Sequence, residues 1–233
     1  MLIRTFDVET TGFPPDAALC EVAWCDTEVA DADSRIHHPV SWFCNPGRPM
    51  PPEARAIHHI GDAELIDAPP PDVVIRKLND PAVDVWCAHN AAFEREFFTG
   101  CDKPWICTLK VARRLWPDCP SHSNQCLRYF LRLNLPEAEA MPPHRAGPDA
   151  FVTAHILKAA LGLATVDNMI QWTAEPSLLP RITFGKHRGS KWADVPADYL
   201  EWCLRQDMDA DVKFTCRHHL RAQSGRLNTE LAR

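Results

Sequence analysis

Along the start of the chain, apolar and polar residues alternate with the two-residue period of a strand. The run Leu2-Ile3-Arg4-Thr5-Phe6-Asp7-Val8 predicts a buried first strand over 2–8, with Phe6 and Val8 on one face and Asp7 and Glu9 on the other. It breaks at Thr10-Thr11-Gly12, where the backbone can approach a ligand closely. Strand-like stretches at 20–29 and 38–43 follow after short connections, which favours antiparallel pairing. Pro49-Met50-Pro51-Pro52 interrupts the pattern, and a short helix is predicted from Glu53 to His59. Val83 to Ala88 reads as a fourth, buried strand; it leads into a segment where Phe93 and Phe97 have the i, i+4 spacing of a helix. Trp105 to Cys107 reads as a short fifth strand. Helical patterns follow at 108–116 and 123–133, and Pro148 is placed to open a helix over 148–161. Strands first, with helices around them, predict an α/β or α+β layer fold.

At 233 residues the chain has room for one full domain and a small appendage. Residues 1–165 read as the domain and 166–180, with Pro176 and Pro180, as a linker. Residues 181–220 read as a small C-terminal α+β unit, a strand-turn-strand from Ile182 onward and then a helix from about Ala197. The polar stretch 221–233 reads as a frayed tail.

Composition narrows the setting. The ten cysteines form no C-x-x-C pair, and several, such as Cys87 in Val85-Trp86-Cys87-Ala88, sit in apolar runs. They read as reduced core residues rather than a zinc site or disulfide framework. There is no apolar run of 18 residues and no basic segment followed by a signal core, so a soluble, cytoplasmic protein with no membrane partner is expected. The net charge of −6 argues at first against a nucleic-acid partner. Its distribution is more informative: residues 1–165 carry a net −7, residues 181–221 a net +2, and Arg181 to Lys191 holds four cations and no anion. An acidic body with a basic segment suits a metal-filled acidic site and a separate polyanion contact.

Asp7 and Glu9 side by side repel, and burying them is costly unless a cation lies between them, so the strand end is a candidate divalent-metal site. Three more residues are candidates. Glu94 lies on the following helix, Asp149 in a first helical turn just beyond Pro148, and His144 in a Pro-flanked loop five residues before Asp149. A loop-borne histidine can swing, which suits a proton acceptor beside anchored carboxylates. Taken singly, Glu94 between Phe93 and Arg95 reads as a solvated helix face, and His144 as a surface histidine.

Together these residues resemble the three ordered motifs of the DnaQ-like 3′→5′ exonucleases, the DEDDh group. Phe6 to Gly12 matches the first motif, His89-Asn90-Ala91-Ala92-Phe93-Glu94 the second, and His144-Arg145-Ala146-Gly147-Pro148-Asp149 the third. Further similarity to the exodeoxyribonuclease X branch runs through Ala56-Ile57-His58, Trp105 to Pro117, Thr183-Phe184-Gly185-Lys186-His187-Arg188-Gly189 and Asp198-Tyr199-Leu200-Glu201-Trp202. The resemblance implies an RNase H-like mixed sheet flanked by helices, and two-metal phosphodiester hydrolysis with two Mg²⁺ or Mn²⁺ per site. By it, Asp7, Glu9 and Asp149 would hold one ion, Asp7 would also bridge to the second, and His144 would take the proton from the attacking water. The family's second motif ends in Asp, where this chain has Glu94; it is expected to serve the second metal, with slower turnover or a preference for Mn²⁺.

The same resemblance implies contacts to the terminal nucleotide from Thr10, Thr11, Gly12, His58, Asn90 and Phe93, although His58 reads equally well as a capping or core residue. Lys110, Arg113 and Arg114 share a helix face and are candidates for phosphate contacts. In the basic segment Lys186, Arg188 and Lys191 are candidates too, with Phe184 or Trp192 able to stack on a base, although both read more readily as core residues. The expected activity is a DNase acting from 3′ ends, single strands first and duplex ends after. An RNA-trimming enzyme and a non-catalytic 3′-end-binding module are the alternatives. Pathway (DNA repair among them) and oligomeric state are not legible in the sequence.

Overall fold

The computed structural model describes residues 1–30, 34–98 and 102–231, with side chains described through residue 224. Strands β1 (Leu2–Thr10), β2 (Leu19–Val29), β3 (Ser34–Ile36), β4 (Val40–Phe43), β5 (Val85–Ala88) and β6 (Trp105–Cys107) form one mixed sheet. Its order is β3-β2-β1-β5-β6, with β4 also pairing with β2. The first four strands pair antiparallel, as their short connections require, whereas β5 and β6 continue the sheet in parallel. Helices flank this sheet, as the resemblance implied.

The chain divides into two compact units: residues 1–109 with 119–170, and residues 110–118 with 171–233. In the first unit, Phe6 on β1 meets Trp86, Phe98 and Trp105 edge-on, with ring centroids 5.5–5.7 Å apart. This aromatic cluster fixes one face of β1 and leaves Asp7 and Glu9 on the other. Against β1 and β2 packs α8 (Ala146–Leu161), whose residues from Ala146 to Ala160 are mostly buried. Arg4 is buried as well: its guanidinium forks onto Asp26 at 2.7–2.8 Å and donates to the Leu78 carbonyl at 2.6 Å.

Other helices of this unit are α1 (Pro52–His58), α2 (Asp62–Leu65), α3 (Pro71–Leu78), α4 (Ala91–Phe97), α6 (Asn124–Phe130) and α7 (Glu137–Ala140). Helix α5 (Thr108–Leu115) begins in the first unit and passes into the second. The stretch expected as a linker contains a helix, α9 (Val166–Ala174), with Met169 fully buried.

The second unit is helical, with α10 (Ala197–Arg205) and α11 (Ala210–Leu231) around a core that includes Trp192, Leu200, Cys203 and Cys216. The expected strand-turn-strand is not there: a single bridge joins Arg181 to Lys191 around a 3₁₀ turn at Gly185–His187. Gly185 and Gly189 take φ of +61° and +89°, which turns the segment back before a ladder can form. Helix α11 also runs through most of the expected tail. Nine described cysteines are free thiols and eight of them are buried, in keeping with core residues; Cys101 lies outside the described residues. Among the described residues no single helix is long and apolar enough to cross a membrane.

Candidate active site

At the end of β1, Asp7 pairs with Ala23 and Glu9 with Glu21, and the register then shifts between Glu9 and Thr10. Such an irregularity re-aims the side chains at the strand end. Helix α8 brings Asp149 to the same place. One carboxylate oxygen from each of Asp7, Glu9 and Asp149 lies within 4.8 Å of the other two. A tie to α6 holds Asp149: Asn124 Nδ2 donates to its carbonyl at 2.9 Å and to Thr153 Oγ1 at 3.0 Å. The first turn of α8 comes close to β4, since a β-carbon on Gly147 would lie 2.4 Å from Ser41 Oγ.

The electrostatics are those of a site short of positive charge. Burial, then the charges of Asp149, Glu9, Glu94 and Glu21, push Asp7 well above the usual carboxylate range. Burial and the charges of Asp149 and Glu21 raise Glu9 to about 8, with Arg145 working in the opposite direction. Burial also raises Asp149, against the His144 backbone N–H that its Oδ2 accepts at 2.7 Å. Glu94 is only 4% exposed, so it is no solvated helix face, and burial raises it to about 8. It stands outside the three-carboxylate cluster, close enough to add to the repulsion on Asp7. Asp149 Oδ1 and Glu94 Oε2 are buried without a hydrogen-bond partner. Hard oxygen donors converging with orphaned buried oxygens fit a divalent cation.

His144 is exposed in its loop, at φ 59°. What anchors that loop was not evident from the sequence. Glu21, 3% exposed on β2, accepts Arg145 Nε at 2.9 Å, Arg145 Nη2 at 3.1 Å and the Ala146 N–H at 3.1 Å. A lone acid inside the apolar run Leu19 to Trp24, on the strand facing Glu9, was the available signal. The second motif is pinned as well. His89 Nε2 donates to the His122 carbonyl at 2.7 Å, and its Nδ1 is hydrogen-bonded with Thr108 Oγ1 at 2.9 Å.

Beside the carboxylates opens a cavity of about 410 Å³, lined among others by Glu9, Thr10, Gly12, Phe13, Ile57 and Phe93. Phe13, another residue not singled out from sequence, is 84% exposed and meets Phe93 edge-on at 6.2 Å. Thr10 Oγ1 donates to the Gly12 carbonyl at 2.6 Å, and Thr11 Oγ1 accepts the Ala18 N–H at 2.9 Å, so these hydroxyls shape the turn. His58 lines the cavity yet is buried, its Nδ1 accepting the Ile60 N–H at 3.0 Å as a capping residue does. Asn90 is exposed immediately before α4.

Several of the residues expected to contact phosphates are bonded within the second unit. Lys110 Nζ donates to the carbonyls of Thr173 and Glu175, Arg113 to Ser177 Oγ, and Arg114 pairs with Glu175, so this helix face is engaged internally. Lys191 pairs with Asp118, and Trp192 is fully buried and unable to stack on a base. Lys186 and Arg188 are exposed.

An exonuclease family profile matches residues 5–157. Exodeoxyribonuclease 10 of Escherichia coli K12 is 34% identical over 226 residues, covering 94% of this chain and 99% of the relative. A structure of exonuclease X in complex with 5′-overhanging duplex DNA is 33% identical with a TM-score of 0.64, covering 74% of this chain and 99% of the other. Escherichia coli exonuclease I, solved with an oligonucleotide, shares the fold at 17% identity and a TM-score of 0.53, over 73% of this chain and 42% of the other. The chain thus belongs to the exonuclease family, in its DnaQ-like group of 3′→5′ exonucleases, with exodeoxyribonuclease 10 similar along nearly its whole length.

Proposed function

We propose that this chain is a metal-dependent exodeoxyribonuclease that removes nucleotides from DNA 3′ ends, single strands in preference to duplex ends, and releases nucleoside 5′-monophosphates. The observation that carries the reading is the cluster of Asp7, Glu9 and Asp149, of which Glu9 also lines a cavity large enough for a nucleotide. Asp7, Glu9 and Asp149 would hold one Mg²⁺ or Mn²⁺, and Asp7 with Glu94 a second. Bound there, such ions lower the pKa of water and neutralise charge on the leaving 3′ oxygen.

The protein's own groups do the rest. The turn Thr10–Phe13 and Phe93 receive the terminal nucleotide, with Phe13 and Phe93 offering aromatic surface to its base. His144 accepts the proton of the attacking water on an imidazole nitrogen. Its backbone N–H holds Asp149 at 2.7 Å, which links the position of the base to that of a metal ligand.

A time course on a 5′-labelled single-stranded oligodeoxynucleotide with Mg²⁺ tests the reading, with Asp7→Ala as the control for contamination. A ladder shortening from the 3′ end, absent in the control and in chelator, is expected. A folded protein that yields no ladder with either ion overturns it.

A further inference from the structure

The second unit presents an aromatic surface that its own core does not use. Of the tryptophans on its C-terminal segment, Trp192 is fully buried, whereas Trp202 on α10 is 41% exposed. Trp202 lies stacked on Tyr199, with ring centroids 5.2 Å apart and planes inclined at 29°. Tyr199 is itself fixed from several sides. The His187 ring meets it edge-on at 4.6 Å, the Lys186 ammonium lies 5.1 Å from its centroid, and a β-carbon on Gly185 would lie 2.3 Å from its hydroxyl. The loop carrying Lys186 and Arg188 is therefore seated on the ring that supports Trp202.

The cations of this loop differ in what they do. Arg181 donates to the Gly189 carbonyl and Lys191 pairs with Asp118, while among the described residues neither Lys186 nor Arg188 has an acidic partner. The acids on α10 are already engaged: Asp198 accepts the Tyr199 N–H and Glu201 pairs with Arg205. A half-exposed indole stacked on the ring that also carries the Lys186 ammonium, in a unit with a second cation lacking an acidic partner, is complementary to a polyanion with flat apolar groups.

We propose that Trp202, supported by Tyr199, is a base-stacking platform for single-stranded DNA, with Lys186 and Arg188 contacting the phosphates. The contact is sequence-tolerant, since every base has a face to stack. It rests on the nuclease reading only for the identity of the strand, and its test needs no hydrolysis.

The full chain is titrated against a fluorescein-labelled single-stranded oligodeoxynucleotide of about 16 nucleotides, in chelator, and binding is read by anisotropy at several salt concentrations. Trp202→Ala is expected to weaken binding about tenfold and Trp202→Phe to restore most of it, with the salt slope unchanged. Lys186→Ala with Arg188→Ala should lower the salt slope by about 1.4, since each phosphate contact on a single strand contributes about 0.7. Wild-type affinity in Trp202→Ala, a loss that Phe does not restore, or an unchanged slope in the double variant overturns the proposal. The three side chains replaced are exposed at the surface, so the variants are expected to fold, which thermal melts check. Failure of the wild-type protein to cut the same oligonucleotide with Mg²⁺ or Mn²⁺ would sink the nuclease reading alone.

Discussion

A glutamate carries its carboxylate one methylene farther from the backbone than an aspartate does, and at position 94 that extra reach is enclosed in the protein with one oxygen unpartnered. If Glu94 serves the second ion from this position, shortening it changes metal use: Glu94→Asp should raise the Mg²⁺-supported rate about tenfold and narrow any preference for Mn²⁺. Equal rates and equal metal preference in steady-state assays would remove Glu94 from that role. Arg145 pairs with the buried Glu21, and removing it leaves that acid with the Ala146 N–H and no cation partner among the described residues. Arg145→Met should cost about 2–3 kcal/mol, less than for a fully buried pair because Arg145 is partly exposed, and the loss in urea melts should shrink when a divalent cation is added. The raised carboxylates also set a pH dependence. In the native state Glu9 and Glu94 hold protons up to about 8 that the unfolded chain releases near 4.5, so their stabilising effect is full below 4.5 and lost as pH rises toward 8. Thermal melts in chelator should therefore show a falling Tm across that window, and a divalent cation should reverse the fall.

The elements differed in how openly the sequence declared them. Strand β1 and the start of α8 were legible because alternation and a proline near the helix start are local signals, and both carry site residues: Asp7, Glu9 and Asp149. Helix α3 was not: no element was expected between His59 and Val83, although Pro71 at the first helical position opens it. Helix α9 was hidden as well: Pro176 and Pro180 made its surroundings look like a connector, and only the packing of Met169 shows otherwise. Glu94 and Glu21 show the same limit at the site. Each has a charged identity that predicts exposure, and burial is decided by neighbours distant in sequence. The tie between α6 and α8 is equally non-local. Asn124→Ala removes two hydrogen bonds, one to the Asp149 carbonyl, and should lower stability by about 1–2 kcal/mol in urea melts and reduce kcat with it.

For the molecule as a whole, the proposed metal binding would be linked to folding through the acidic centre. Each carboxylate that must ionise to hold a cation opposes folding until the cation arrives, so chelation should lower Tm as well as abolish hydrolysis, and both should return together on adding Mg²⁺ or Mn²⁺. A Tm indifferent to these ions would dissociate the two. Helix α5 has a further consequence for how the molecule can be taken apart. Its residues from Lys110 onward belong to the second unit, where Lys110, Arg113 and Arg114 are bonded to residues 173–177. A chain shortened to remove residues 171–233 keeps those three side chains and loses their partners. The shortened enzyme would acquire an adhesive cationic stripe that the intact one lacks, and nonspecific affinity for polyanions could rise just as the Trp202 surface is lost. Two opposite changes would then cancel in a simple binding assay, and an unaltered affinity after truncation would be no sign that the C-terminal unit is idle.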